Sequence, residues 1–150
     1  MRYNSIRTKL DNPILLFIIL FFVISVNIIA TVNFLLITFA GVLFLAFHTC
    51  LKNRYLYSLF FVVFTFLIVE INSGLAPFSL TLLSLFIYTF IIPKEDEESV
   101  YFVANSYVYM IFFYIGLLIL WAVFYGISQK VVLALFLNLL IDFLFFGMFI

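Results

Sequence analysis

The stretch NPILLFIILFFVISVNIIATVNFLLITFAGVLFLAFHTCL, from Asn12 to Leu51, contains no Asp, Glu, Lys or Arg. A helix needs about 20 apolar residues to cross a hydrocarbon core of about 30 Å. An uncharged stretch twice as long as one span therefore reads as two spans joined by a very tight connection. Asn27, Thr31 and Asn33 supply polar side chains near the middle, so the turn is expected between residues 27 and 33. That places span one over residues 13–30 and span two over residues 33–51. Pro13 suits a first helical turn, where its missing N–H is not needed.

Charges and turn residues divide the rest of the chain in the same way. Lys52-Asn53-Arg54 breaks the apolar run, and span three follows over residues 55–71. Glu70-Ile71-Asn72-Ser73-Gly74-Leu75-Ala76-Pro77 is the segment richest in turn residues. Gly74 permits positive φ, and Pro77 disfavours helix in the residue before it. Span four covers residues 78–92 and stops at Pro93 and the charged run Lys94-Glu95-Asp96-Glu97-Glu98. Span five covers 100–125, Gly126 to Lys130 forms the last turn, and span six covers 131–150. Apolar residues are continuous and do not alternate, which argues against a β-barrel. No internal repeat stands out, and no linker divides the chain. The expected fold is all-α, a polytopic integral membrane helix bundle of six transmembrane helices in one domain over residues 1–150.

Composition agrees. The chain is 68% hydrophobic and 9% charged, against about 25% charged in soluble domains, and its mean hydropathy is +1.36. A soluble domain of this size leaves roughly 30% of its surface in water, so lipid must be the main solvent. The apolar run after Arg2, Arg7 and Lys9 is longer than a signal-peptide core and lacks a small-x-small cleavage site, so it reads as an uncleaved first span. With the N-terminus inside, Arg2, Arg7, Lys9, Lys52, Arg54 and Lys94 lie on the cytoplasmic side and only Lys130 lies outside. This bias supports an N-in, C-in topology.

One Cys and one His exclude a disulfide framework and a multi-His metal cluster. Nucleotide, dinucleotide and hydrolase fingerprints are missing, and no basic patch suits nucleic acid. No cofactor, metal or catalytic residue is expected. Asp142 follows Lys130 by just over three helical turns, about 18 Å down the last span and near the bilayer midplane. An Asp there costs about 2.5–3.5 kcal/mol. Asn138, one turn away on the same face, is its expected hydrogen-bonding neighbour. Asp142 reads as a packing group or as a proton, ion or substrate site. Glu70 is placed near the outer interface, wetted by water and at a different depth. His48 is expected near the inner interface, hydrated or hydrogen-bonded, with Cys50 beside it a weak candidate for acylation. The acidic run reads as a solvated cap on span five. Tyr101, Tyr107, Tyr109 and Tyr114 read as part of an aromatic belt, and the Phe pairs as lipid-facing bulk.

Residues 54–90 resemble one stretch of the bacterial rod shape-determining MreD family. Those proteins carry a basic group, then a helix ending in an acid-x-x-Ser-Gly turn, then another apolar helix. Here these are Arg54, the helix to Val69, Glu70-Ile71-Asn72-Ser73-Gly74, and residues 78–92. Chain length, six spans and both termini inside are also similar, and Asn138 resembles an Asn near the start of the family's last span. The family usually has Asp at the place of Glu70, glycines in the helix before the turn, and often Gly at the place of Phe78. The resemblance implies a non-enzymatic subunit of the cell-wall elongation complex in the bacterial inner membrane. Its implied partners are the bitopic protein MreC, the actin-like filament protein MreB and the glycan polymerase–transpeptidase pair. The family is also similar in fold to the substrate-binding S-components of energy-coupling-factor transporters, so a small transporter remains the alternative. On either reading Glu70, Asn72, Ser73, Gly74, Asn138 and Asp142 are the candidate binding or partner-contact residues.

Overall fold

The computed structural model describes residues 12–33, 38–92 and 101–149, without the side chains of 101–104 and 149. These residues form six α-helices: α1 (Pro13–Val32), α2 (Ala40–Lys52), α3 (Leu56–Ser73), α4 (Ser79–Phe90), α5 (Tyr101–Tyr125) and α6 (Gln129–Phe149). Among the described residues there is no strand. The chain is an all-helical membrane protein. α1, α3, α5 and α6 are each long and apolar enough to cross a bilayer. The N-terminal basic residues and the acidic run from Lys94 to Glu98 lie outside the described residues.

Successive helices alternate in direction. Phe17 packs on Phe61 (5.8 Å between ring centres), and Asn72 donates to Asn27 (2.9 Å), so α1 and α3 run parallel. α2 runs against them, with Phe44 stacked on Phe113 of α5 at 4.8 Å and Phe47 against Phe66 of α3 at 6.1 Å. The Tyr125 hydroxyl donates to the Gly74 carbonyl (2.9 Å), which ties the far ends of α3 and α5 together. The core is built around α2, whose residues from Ala40 to Cys50 are all buried.

Two expectations about the uncharged stretch from Asn12 to Leu51 are corrected. The turn does not fall at Asn27, which is buried inside α1. Its side chain is satisfied by Asn72, so the backbone keeps its helical hydrogen bonds to Val32, the state a bilayer favours. Nor is span two full length. α2 has 13 residues and begins at Ala40, about 20 Å of helix at 1.5 Å per residue. Its first turn lies beside Met110 and Tyr114, near the middle of α5. α4, with 12 residues, is equally short. Non-helical backbone at membrane depth is tolerated only where protein satisfies it; the expected second span over residues 33–51 gives way to a shorter helix, whereas α4 falls within the short fourth span expected over residues 78–92.

A third correction follows. The chain does contain a repeat, at the fixed offset that carries Phe39 onto Phe78. Leu20-Phe21-Phe22-Val23 matches Leu59-Phe60-Phe61-Val62, and Asn33, Phe39, Leu43 and Phe47 match Asn72, Phe78, Leu82 and Phe86. Structure makes the match visible where a Phe- and Leu-rich sequence hides it. In each unit a long helix leads to a Phe held in the left-handed region, Phe39 at φ 48° and Phe78 at φ 66°, and a short helix starts at the next residue. The long helices are parallel. The short helices use the same position against α5: Phe44 stacks on Phe113, and its counterpart Leu83 sits over Gly116.

Candidate functional site

A helix start leaves backbone N–H groups without partners, and inside a membrane each one needs an acceptor. The turn into α4 takes its acceptor from the helix just before it. Phe78 N–H donates to Glu70 Oε2 and Leu80 N–H to Glu70 Oε1, both at 2.6 Å. Glu70 is therefore fully buried and not a hydrated interfacial acid. Its position near the end of α3 did place it high in the span, but the chain folds back over it. Gly74 ends α3 at φ 74°, the left-handed conformation that its sequence position suggests. The Asn72 amide reaches across to Asn27. Ser73 is the last residue of α3 and is partly buried.

The turn into α2 takes its acceptors from α6, near the far end of the chain. Thr38 N–H donates to Asn138 Oδ1 (2.9 Å), and Gly41 N–H donates to Asp142 Oδ2 (2.7 Å). The same oxygen accepts from the Tyr114 hydroxyl at 2.6 Å. Asp142 is fully buried, and its Oδ1 has no hydrogen-bond partner. Asn138 and Asp142 do share a helical face, as their spacing requires, but they do not bond to each other. Asn138 Nδ2 donates to Ala134 O (2.8 Å). Gly41 makes the approach possible, since a Cβ there would stand 2.6 Å from Asp142 Oδ2. The cost of an intramembrane Asp is offset by pairing two groups, each of which would cost about 1–3 kcal/mol if left buried and unmatched. Each carboxyl also faces the positive end of a short helix dipole.

The two sites are the same device. Leu80, whose amide Glu70 takes, is the repeat counterpart of Gly41, whose amide Asp142 takes. At the place of Glu70 the first unit has Thr31, whose hydroxyl donates to Asn27 O within α1 (2.8 Å).

Thr38, Gly41 and Tyr114 escaped the sequence reading. Tyr114 is not part of an aromatic belt but is buried against Asp142. His48, one turn from the end of α2, is buried within the bundle and not open to water. Its ring lies 5.5 Å from that of Tyr88 and 5.9 Å from that of Tyr109. The Phe pairs divide: Phe60 and Phe61 face outward, whereas Phe113 and Phe146 are core residues. Among the described residues, no three His, Cys, Asp or Glu side chains converge where a metal could bind. Comparison of the chain with protein-family models, curated proteins and solved structures gives no match.

Proposed function

We propose that the chain is a non-enzymatic membrane subunit that holds other membrane proteins in place, with the cell-wall elongation role that its resemblance to the MreD family implies. One observation carries this reading. Glu70, Asn138 and Asp142, the polar groups a membrane catalyst or carrier would need, accept hydrogen bonds from this chain's own backbone. They fix the starts of two short helices and so shape the surface offered to a neighbour. On this reading the partners are the bitopic MreC-like protein and the glycan polymerase–transpeptidase pair. The membrane is then the bacterial inner membrane, with both termini in the cytoplasm.

A second reading rests on the unpaired Asp142 Oδ1. Helices interrupted at the midplane are also how secondary transporters build substrate and ion sites, which favours a small transporter or S-component-like binding subunit. Asp142→Asn separates the two. The amide keeps an acceptor for Gly41 and Tyr114, so a scaffold should retain both partner recovery from native membranes and cell shape. A carrier that uses the carboxyl should still assemble and lose uptake. Loss of transport with intact partner recovery would overturn the scaffold reading.

A further inference from the structure

The two acids among the described residues, Glu70 and Asp142, are served differently. Glu70 receives one amide on each carboxyl oxygen, Leu80 on Oε1 and Phe78 on Oε2. Asp142 receives its hydrogen bonds on one oxygen. The Gly41 amide and the Tyr114 hydroxyl both donate to Oδ2, and the Val42 amide faces the same carboxyl. Oδ1 is fully buried and makes no hydrogen bond. An ionised carboxyl shares its charge between both oxygens. Ionised Asp142 would therefore leave part of that charge bonded neither to a donor nor to water. No cation balances it, because the described basic residues Lys52, Arg54 and Lys130 are exposed at helix ends.

The elements packed on α6 bring one titratable group to this carboxyl. It is Tyr114 of α5, whose oxygen also meets the Thr38 hydroxyl. α2 brings backbone amides at this depth, and its His48 and Cys50 lie two turns or more further along the helix. α1 meets α6 through Phe22 on Phe145 and carries no titratable side chain. Space then decides what Oδ1 can take. It has no accessible surface, and the Gly41 backbone stands so close that an added Cβ would lie 2.6 Å from Oδ2. A metal ion needs several oxygen ligands and room for itself, and a small-molecule substrate needs a cavity. A proton needs neither.

We propose that Asp142 is a proton-binding site, with one proton held on Oδ1 while Oδ2 keeps its bonds to Gly41 and Tyr114. The O–H bond forms with a proton taken from water, nothing leaves, and the side chain goes from one negative charge to none. An unmatched O–H remains, at far smaller cost than an unmatched charge. This goes beyond both readings of function, since the carboxyl holds the proton in a scaffold and in a carrier alike.

Infrared spectroscopy of the full chain in lipid bilayers at neutral pH tests this. The chain has three Asp residues, Asp11, Asp96 and Asp142. A C=O stretch of a protonated carboxyl is expected. It should shift when aspartate is labelled with carbon-13 at the side-chain carboxyl and stay in place when glutamate is labelled instead. Asp142→Asn should remove the band. The double variant Asp11→Asn with Asp96→Asn, which leaves Asp142 as the sole aspartate, should keep it, so the assignment holds even where Asp142→Asn fails to fold. No such band, a band that moves only with labelled glutamate, or a band lost in the double variant would overturn the proposal. So would a carboxylate stretch from Asp142 that shifts on adding sodium, potassium or calcium, since that reports a metal-ion site. Partner recovery and uptake do not enter the readout, so either reading of function can fail while the proton site stands, and the reverse.

Discussion

The turns into α2 and α4 face one physical problem, and they solve it at different distances. Both begin a short helix behind a left-handed Phe, a conformation costing about 1–3 kcal/mol outside glycine. Both place a carboxyl on the second amide after that Phe. For α4 the carboxyl belongs to the preceding helix and lies 10 residues from Leu80. For α2 it lies 101 residues from Gly41, on α6. The turn into α4 is closed by its neighbours in sequence, and the turn into α2 by the assembled bundle. The two units therefore share the geometry of the device while the source of its acid differs.

Removing either acid should give the largest effects. Asp142→Leu and Glu70→Leu each strand two donors, and each should lower stability in detergent by about 2–4 kcal/mol, read from thermal unfolding of the purified protein. The comparison predicts a rescue at only one of them. Adding Thr31→Glu to Asp142→Leu supplies the first unit with an acid at the position Glu70 occupies in the second, and it should recover much of the loss. No recovery would break the equivalence of the two turns. Gly41→Ala should come next, at about 1–3 kcal/mol, because its Cβ would crowd Asp142 and Tyr114. Gly74→Val should cost about 1 kcal/mol or more by backbone strain alone, since nothing lies within 4 Å of the added Cβ. Tyr114→Phe should be the mildest, at about 0.6 kcal/mol, the average for a hydrogen bond between membrane helices. A larger loss would mean that Asp142 depends on the hydroxyl for its position.

How much of this was legible in the sequence follows the same division. Glu70-Ile71-Asn72-Ser73-Gly74 announced a turn, because glycine and the helix-ending polar residues act locally. Asp142 and Asn138 announced themselves as costly in lipid, and their shared face followed from helical period. Their acceptor roles toward Thr38 and Gly41 did not, because no local pattern links segments so far apart in the chain. The break before α2 was misplaced for the same reason. Asn27 looks like a turn residue until Asn72 is brought against it, and Phe39 carries no signal for a left-handed backbone. The repeat was obscured by composition, since a chain with 23 Phe matches itself at many offsets. Only the paired left-handed Phe residues single out one.

The distance between Gly41 and Asp142 also sets an order of events at the ribosome. At synthesis rates of about 5–20 residues per second, the α3–α4 turn has its acid before its amides emerge. The start of α2 must wait roughly 5–20 s for Asp142, with its first amides bare and its left-handed Phe unsupported. Until then the segment from Thr38 has reason to stay out of the hydrocarbon, held at the interface or by the insertion machinery. The sixth helix is thus the one that lets the second helix settle. A nascent chain arrested before α6 should carry a finished second unit and an unfinished first one.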